Sequence, residues 1–246
     1  MTDRIVVKNL WKEFNIGTKE KQTSLGKIKS MISGREQRKK FWALKDVSFT
    51  AKSGEVIGIV GDNGSGKSTL LRIIAGIYSK DKGKIFMKGN AILVSNDVGL
   101  NFSLNAIDNI FLGCSILGLN EKEIKQKVKD IISFAELENF ANTKLYQYST
   151  GMIARLTFSI AIHSINKNPY VLLIDENFSV GDEKFKKKCF DKVKEFKKNG
   201  STILIVDHDA FSIKINCDRI IWLDKGQIKK EGGVKIMEEY GKVLRG

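Results

Sequence analysis

The sequence predicts an α/β protein built on a parallel β-sheet with helices on both faces. Three observations predict it. First, three apolar runs lack polar alternation: Val56-Ile57-Gly58-Ile59-Val60, Tyr170-Val171-Leu172-Leu173-Ile174, and Ser201 to Val206. Each reads as a strand buried on both sides. Second, helical patterns separate these runs, the order expected of strands joined by crossover helices. Third, each run stops at a polar cluster: residues 61–69, Asp175-Glu176 and Asp207-His208-Asp209. Ligands of open α/β sheets sit beyond the carboxyl ends of the strands, so the three clusters converge on one edge.

The remaining elements follow in order. Ile5 to Leu10 predicts a first strand. Residues 17–42 shift in composition, with eight basic and two acidic residues between Lys19 and Lys40. Within them Leu25, Ile28 and Ile32 share one face of a short helix. Val47 to Thr50 predicts the next strand, and an apolar-periodic helix runs from Thr69 to Ile77. Gly83 and Gly89 flank a strand at Lys84 to Met87, which suggests a small antiparallel sheet. Residues from about Asn105 to Phe140 are mostly helical in pattern, within a helical subdomain expected over about 97–165, and Asn120 caps a helix that begins Glu121-Lys122-Glu123. A further helix spans Gly151 to Ser164. Phe185, Cys189, Val193 and Phe196 form one face of a lysine-rich helix. Ile220 to Leu223 and Gln227 to Lys229 predict a hairpin around Asp224-Lys225-Gly226.

Composition bounds the function. The 246 residues suit a single domain over 1–246, with 42% hydrophobic and 28% charged residues. A net charge of +14 fits either an anionic partner, nucleic acid or a membrane surface, or a solvated lysine-rich face. Met1 to Val7 reads as a strand and has no secretory leader pattern. No apolar run approaches the ~18 residues of a membrane span. Cys114, Cys189 and Cys217 lack Cys-x-x-Cys spacing and fit reduced structural thiols of a cytoplasmic protein.

The chemistry lies at the predicted edge. Gly61-Asp62-Asn63-Gly64-Ser65-Gly66-Lys67-Ser68 matches G-x-x-x-x-G-K-[ST], with Thr69 following. Its glycines let backbone N–H groups turn inward as an anion nest, and the next helix aims its positive end there. Lys67 would neutralise β- and γ-phosphate oxygens, and the Ser68 hydroxyl would ligate Mg²⁺. Asp175 ends an apolar strand and can reach the same metal shell. Glu176, one step on, could polarise an attacking water. His208 follows the third strand and could sense the γ-phosphate. Ser149 and Gly151, in Tyr148-Ser149-Thr150-Gly151-Met152, precede a helix and form either another phosphate-binding turn or a simple N-cap. His163 sits in a helix with no motif around it and receives no role.

Over nearly its whole length the sequence resembles ATPase subunits of ABC transporters. Gly61 to Ser68 resembles the Walker A loop, Leu172 to Glu176 the Walker B strand, and Tyr148 to Met152 the LSGGQ signature. His208 matches the switch histidine and Asp182, in Ser179-Val180-Gly181-Asp182, the D-loop aspartate. The resemblance implies a P-loop NTPase (RecA-like) parallel sheet core with an antiparallel β subdomain and a helical signature subdomain. Thr150 and Met152 depart from the commoner signature. Together with Val180-Gly181-Asp182 and Phe41 to Phe49, they resemble exporters of lipid-linked polysaccharides such as O-antigen or teichoic acid. Asn96 stands where the family's Q-loop glutamine would, as a candidate metal contact. Phe14 is the first candidate to stack on adenine and Trp42 the second; both could equally pack in the core.

The resemblance implies ATP and Mg²⁺ as cofactors and a head-to-tail dimer of two copies. It also implies integral membrane permease subunits and a peripheral place on the cytoplasmic face of the membrane. Each ATP would lie between one copy's Walker A loop and the other's Ser149 and Gly151. Hydrolysis would then power export, with no nucleic acid partner expected. The chain ends at Gly246, so recognition of the cargo is expected mainly elsewhere. Two alternatives are a soluble ABC-type ATPase acting on nucleic acid, which the charge favours, and a non-hydrolysing regulatory subunit. Intact Lys67, Asp175, Glu176 and His208 speak against the latter. The basic insertion at 17–42 resembles the extra hairpin of the polysaccharide exporters and is expected at the membrane face. Substituting Leu25→Asp with Ile28→Asp should impair export and spare basal ATP hydrolysis. Unchanged export would sink that placement.

Overall fold

The structure is a computed structural model that describes residues 2–16, 39–94, 99–165, 171–175, 182–207 and 210–243. Among them nine strands form two sheets. The smaller is antiparallel, in the order β2-β1-β4, from β1 (Asp3–Ile16), β2 (Lys39–Lys52) and β4 (Lys82–Met87). The larger has six strands in the order β5-β6-β7-β3-β8-β9. They are β3 (Val56–Val60), β5 (Ala91–Val94), β6 (Val171–Asp175), β7 (Thr202–Val206), β8 (Arg219–Asp224) and β9 (Gln227–Gly232). Five of these strands are parallel, and β9 closes the edge as an antiparallel hairpin on β8.

All five residues of β3, β6 and β7 are buried, which accounts for their unbroken apolar runs. Their side chains alternate between two cores. One core takes Val56, Val60, Leu172, Ile174, Ile203 and Ile205. The other takes Ile57, Ile59, Leu173, Leu204 and Val206, together with the inner face of the small sheet.

Seven α-helices cover these layers among the described residues. Helix α1 (Lys67–Ile74) packs Leu70, Leu71, Ile73 and Ile74 into the second core. Helices α2 (Ala106–Ile116) and α3 (Glu121–Ala135) build a third core with α4 (Thr150–His163). Asn120 caps α3 in a full capping box with Glu123. Helix α4 presents Leu156 and Ile160 to this third core and Phe158, Ala161 and Ile162 to the first. It is buried on both sides, as an apolar helix without a polar stripe must be. Helices α5 (Glu183–Lys198), α6 (Ala210–Asn216) and α7 (Ile236–Val243) complete the set. Phe185, Cys189, Val193 and Phe196 of α5 are buried, as their spacing predicts.

Three differences from the sequence reading have physical causes. The first two strands run well past Leu10 and begin well before Val47. Their pairing shifts register there, and Asn9 and Asp46 both adopt positive φ, at 47° and 54°. The Asn9 amide donates to the Asp46 carboxylate at 2.8 Å. Such bulges break the alternation by which strands are read. Residues 39–42, expected to close the basic insertion, therefore belong to β2, where Phe41 pairs with Phe14 and Trp42 with Glu13. Residues 17–38, with Leu25, Ile28 and Ile32, lie outside the described residues. Strand β5 also has no counterpart in the sequence reading, being four residues long and only partly buried.

Cys114, Cys189 and Cys217 are all buried and unlinked. Burial pushes each thiol up, Cys217 to about 12 and Cys189 further. A shift of that size lowers the thiolate fraction at pH 8 by about 10³ relative to an exposed thiol. Ellman's reagent should therefore label native protein only as fast as the fold opens and label all three cysteines at once in guanidinium. Rapid native labelling at any of them would contradict the packing.

Candidate nucleotide-binding site

Strand β3 delivers the chain to the sheet's carboxyl edge at Val60, where the phosphate loop begins. The loop folds by a hydrogen bond from Ser65 N–H to Asp62 O (3.1 Å). Gly64 and Gly66 hold φ of 79° and 105°, which side-chain-bearing residues rarely adopt. Gly66 has a second constraint. A Cβ there would lie 2.5 Å from Ala43 O and 2.8 Å from Leu44 Cδ2. Gly64 instead faces open space. Asn63 is exposed at the loop's crest beside it.

Lys67 is almost fully buried and donates from Nζ to the carbonyls of Gly61 (2.8 Å) and Asp62 (3.1 Å). Its charge is thereby held within the ring of the loop. Gly66 caps α1 without any side-chain bond, and the first turn holds no acidic residue. Both features leave the positive helix end to an anion. The buried Ser65 hydroxyl has no hydrogen-bond partner among the described residues. Thr69 follows as a half-buried residue of α1.

The decisive contact crosses the sheet edge. Ser68 Oγ donates to Asp175 Oδ1 at 2.9 Å. It joins the start of α1 to the end of β6, 107 residues apart. Asp175 is a buried carboxylate. Two hard oxygens at this spacing suit one small divalent cation, since adjacent ligands of an octahedral Mg²⁺ stand about 3 Å apart. The donor set thus fits the metal expected there.

The structure adds supports that the sequence reading missed. Gly226, in the β8–β9 turn, donates its N–H to Ser65 O (3.0 Å) and accepts from Lys45 N–H at 2.8 Å. The turn therefore ties the phosphate loop to β2. Its sequence signalled a hairpin and nothing about the loop it touches. Tyr240 of α7 lines one cavity wall with Gly61 and Asp62. Burial, then the neighbouring Asp62 charge, raises its phenol above the usual range. Its ring stands edge-on to Trp222 at 5.3 Å. Tyr240, Asp62, Asn63 and the buried Asp207 line a cavity of about 230 Å³. No sequence signal marked Tyr240.

Ser149 and Gly151 stand elsewhere, at the tip of α4 over the helical core. Ser149 is exposed and caps the helix, accepting from Met152 N–H at 3.2 Å. Around Gly151 there is room for a ligand, since a Cβ there would meet nothing closer than Ser149 Oγ at 3.8 Å. Asp182 caps α5, accepting from Phe185 N–H at 2.8 Å. That bond, ahead of the charge of Arg155, lowers its pKa. Phe14 is half-buried and edge-on to Tyr78, just past α1, at 5.7 Å. Trp42 is edge-on to Trp11 at 5.2 Å, with the Lys82 ammonium over both rings. His163 is structural: its Nδ1–H donates to Ser159 O at 2.8 Å, and burial lowers its pKa. Glu176, His208 and Asn96 lie outside the described residues.

A phosphate loop on a parallel sheet, an antiparallel side sheet and a separate helical core define a P-loop nucleotide-binding domain. The ABC transporter family matches residues 44–179, and the chain belongs to that family. Among curated relatives, the teichoic acids export ATP-binding protein TagH of Staphylococcus saprophyticus is 38% identical over 245 residues, covering 99% of this chain and 90% of that protein. The protein of the same name from Lactococcus lactis is 41% identical over 226 residues, 91% of this chain and 48% of its own length. That from Bacillus anthracis is 40% identical over 89% of this chain and 40% of its own length. The chain thus spans about half the length, or less, of these last two relatives. Among solved structures, the dimeric ATP-binding cassette MJ0796 bound to ADP and Pi superposes with a TM-score of 0.74. It is 25% identical, over 94% of this chain and 98% of that one.

The two glycines separate conformation from space. Gly64→Ala meets open space and should cost about 1–3 kcal/mol of backbone strain. Gly66→Ala carries the same strain and a collision with β2, so its melting temperature should fall further. It should also abolish binding of a fluorescent ATP analogue. Equal losses in the two variants would show that close packing against β2 does not shape the loop.

Proposed function

We propose that this chain is the ATP-binding and ATP-hydrolysing subunit of an exporter that moves a teichoic acid or similar lipid-linked polysaccharide across the cytoplasmic membrane. The observation that carries the ATPase reading is the Ser68–Asp175 hydrogen bond, which brings the phosphate loop and the strand-end carboxylate into one shell. The cargo class rests on relatives named for teichoic acid export. Those names favour export over the nucleic acid alternative.

The residues divide the work. Backbone N–H groups from Gly61 to Thr69 hold the phosphates, and Lys67 neutralises β- and γ-oxygens. Phe14 is the first candidate for the adenine and Trp42 the second; both rings are half-buried, and each has one aromatic and one lysine neighbour. Ser68 and Asp175, with Asn96 as a further candidate, would hold Mg²⁺. Bound there, the ion offsets charge on the phosphate oxygens. Glu176 orients and deprotonates water, and His208 holds the γ-phosphate from the next strand end. In a head-to-tail dimer, Ser149, Gly151 and Asp182 of one copy face the nucleotide of the other. The dimeric state of MJ0796 supports that pairing. Closure on ATP and reopening after hydrolysis would drive membrane permease subunits. The chain would sit peripherally on the cytoplasmic face. No described helix is long and apolar enough to cross a membrane.

Glu176→Gln should bind ATP normally and accumulate as a closed dimer, with phosphate release at least about 10²-fold slower. Light scattering and a phosphate-release assay read the two effects. Wild-type phosphate release from this variant would remove Glu176 from the role of base.

A further inference from the structure

Helix α4 separates two cores, and its tip carries Ser149 and Gly151. One turn below Gly151, on the same side of the helix, stands Arg155. Its side chain is only 19% exposed. Nη1 donates to Glu136 Oε2 at 3.2 Å, and Nη2 donates to Asp182 Oδ2 at 2.8 Å. The guanidinium lies 5.2 Å from the centre of the Phe185 ring. One side chain therefore joins the end of α3, the body of α4 and the start of α5.

Each partner is itself fixed. Glu136 ends α3 in the left-handed conformation, with φ of 58°, and also draws Lys184 (3.8 Å) and Lys188 (3.6 Å). Lys188 reaches back to Phe134 O at 2.8 Å in the last turn of α3. Asp182 uses its second oxygen, Oδ1, to cap α5. The planar, two-pronged guanidinium can serve both carboxylates and stack on a ring at once, which a lysine ammonium cannot. The Asp182 side chain is 58% exposed, so its attraction is screened and its contribution to stability small. Geometry is what this pair offers: it sets the angle between the α4 tip and the loop end that carries Asp182.

We propose that Arg155 is a positioning residue that holds the α4 tip and the Asp182 loop end as one rigid unit, so that both meet the partner copy's nucleotide together. The proposal rests on the reading that Ser149, Gly151 and Asp182 act across a dimer. It assigns Arg155 to turnover and leaves ATP capture by the phosphate loop of the same chain untouched.

The test uses the purified full chain and four variants: Arg155→Gln, Arg155→Lys, Glu136→Gln and the Glu136→Gln/Arg155→Gln double. Measured are kcat and KM for phosphate release, the Kd of a fluorescent ATP analogue, and the melting temperature. Arg155→Gln should lower kcat by about tenfold to a hundredfold, with Kd changed less than about twofold. Arg155→Lys should recover part of kcat, since it keeps the charge and loses one prong. The double variant should be no slower than Arg155→Gln, because both changes break one linkage. Wild-type kcat in Arg155→Gln overturns the proposal. So does a loss of kcat that tracks the melting temperature across all four variants, which would make Arg155 a stabilising clamp. If wild-type protein binds the analogue and releases no phosphate, the ATPase reading fails and the proposal falls with it. A wild-type enzyme with an indifferent Arg155→Gln sinks the proposal alone.

Discussion

The nucleotide edge depends on one constraint: β3 is buried on both faces. With β7 and β8 at its edges and a hydrophobic core against each face, its five residues have no solvent-facing position. The chain can become polar only after Val60, and there it must turn at once into α1. The loop that makes this turn is braced from four distant places. Gly226 holds Ser65 from the β8–β9 turn, the backbone of Ala43 crowds Gly66, Tyr240 stands beside Asp62 on one cavity wall, and Asp175 holds Ser68. A loop so held presents its N–H groups to a phosphate with little ordering left to do, which is how binding energy is conserved for closure and hydrolysis.

Helix α4 is a second organising element. Its residues from Leu156 to Ile162 alternate between the sheet's core and the helical core, so the helical subdomain has no wall of its own on that side. Movement of α4 must therefore be felt in both cores. Buried Thr157 and Ser159 satisfy their hydroxyls on backbone carbonyls one turn back, at 2.9 and 2.6 Å, and need no partner outside the helix. Polar links leave α4 at both ends: Arg155 reaches Glu136 and Asp182, and Lys127 donates to His163 O at 2.6 Å.

The basic surplus also takes a plainer meaning. The lysines of α5 are not a bare cationic stripe. Lys186, Lys192 and Lys194 pair with Glu183, Glu195 and Asp191 along the helix, and Lys197 pairs with Asp218. Such surface pairs add little stability, but they blunt the field that a nucleic acid would need.

Much of this protein was legible from residue order. The apolar runs of β3, β6 and β7 were visible because strands buried on both faces leave no ambiguity of period. The phosphate loop was visible because its glycines and Lys67 stand at fixed spacing, and the cap of α3 because Asn120 and Glu123 are local partners. The long first hairpin was not, because the bulge at Asn9 and Asp46 interrupts its alternation. Tyr240, Gly226 and Arg155 were silent for a different reason. Each acts on a residue far away in sequence, and no local pattern records which distant backbone a side chain will meet. The sequence by itself therefore determined the fully buried strands, the phosphate loop and the chemistry that loop can perform. Only the tertiary structure decided what holds that loop in shape and which elements can move together, since those depend on contacts made after the sheet is assembled.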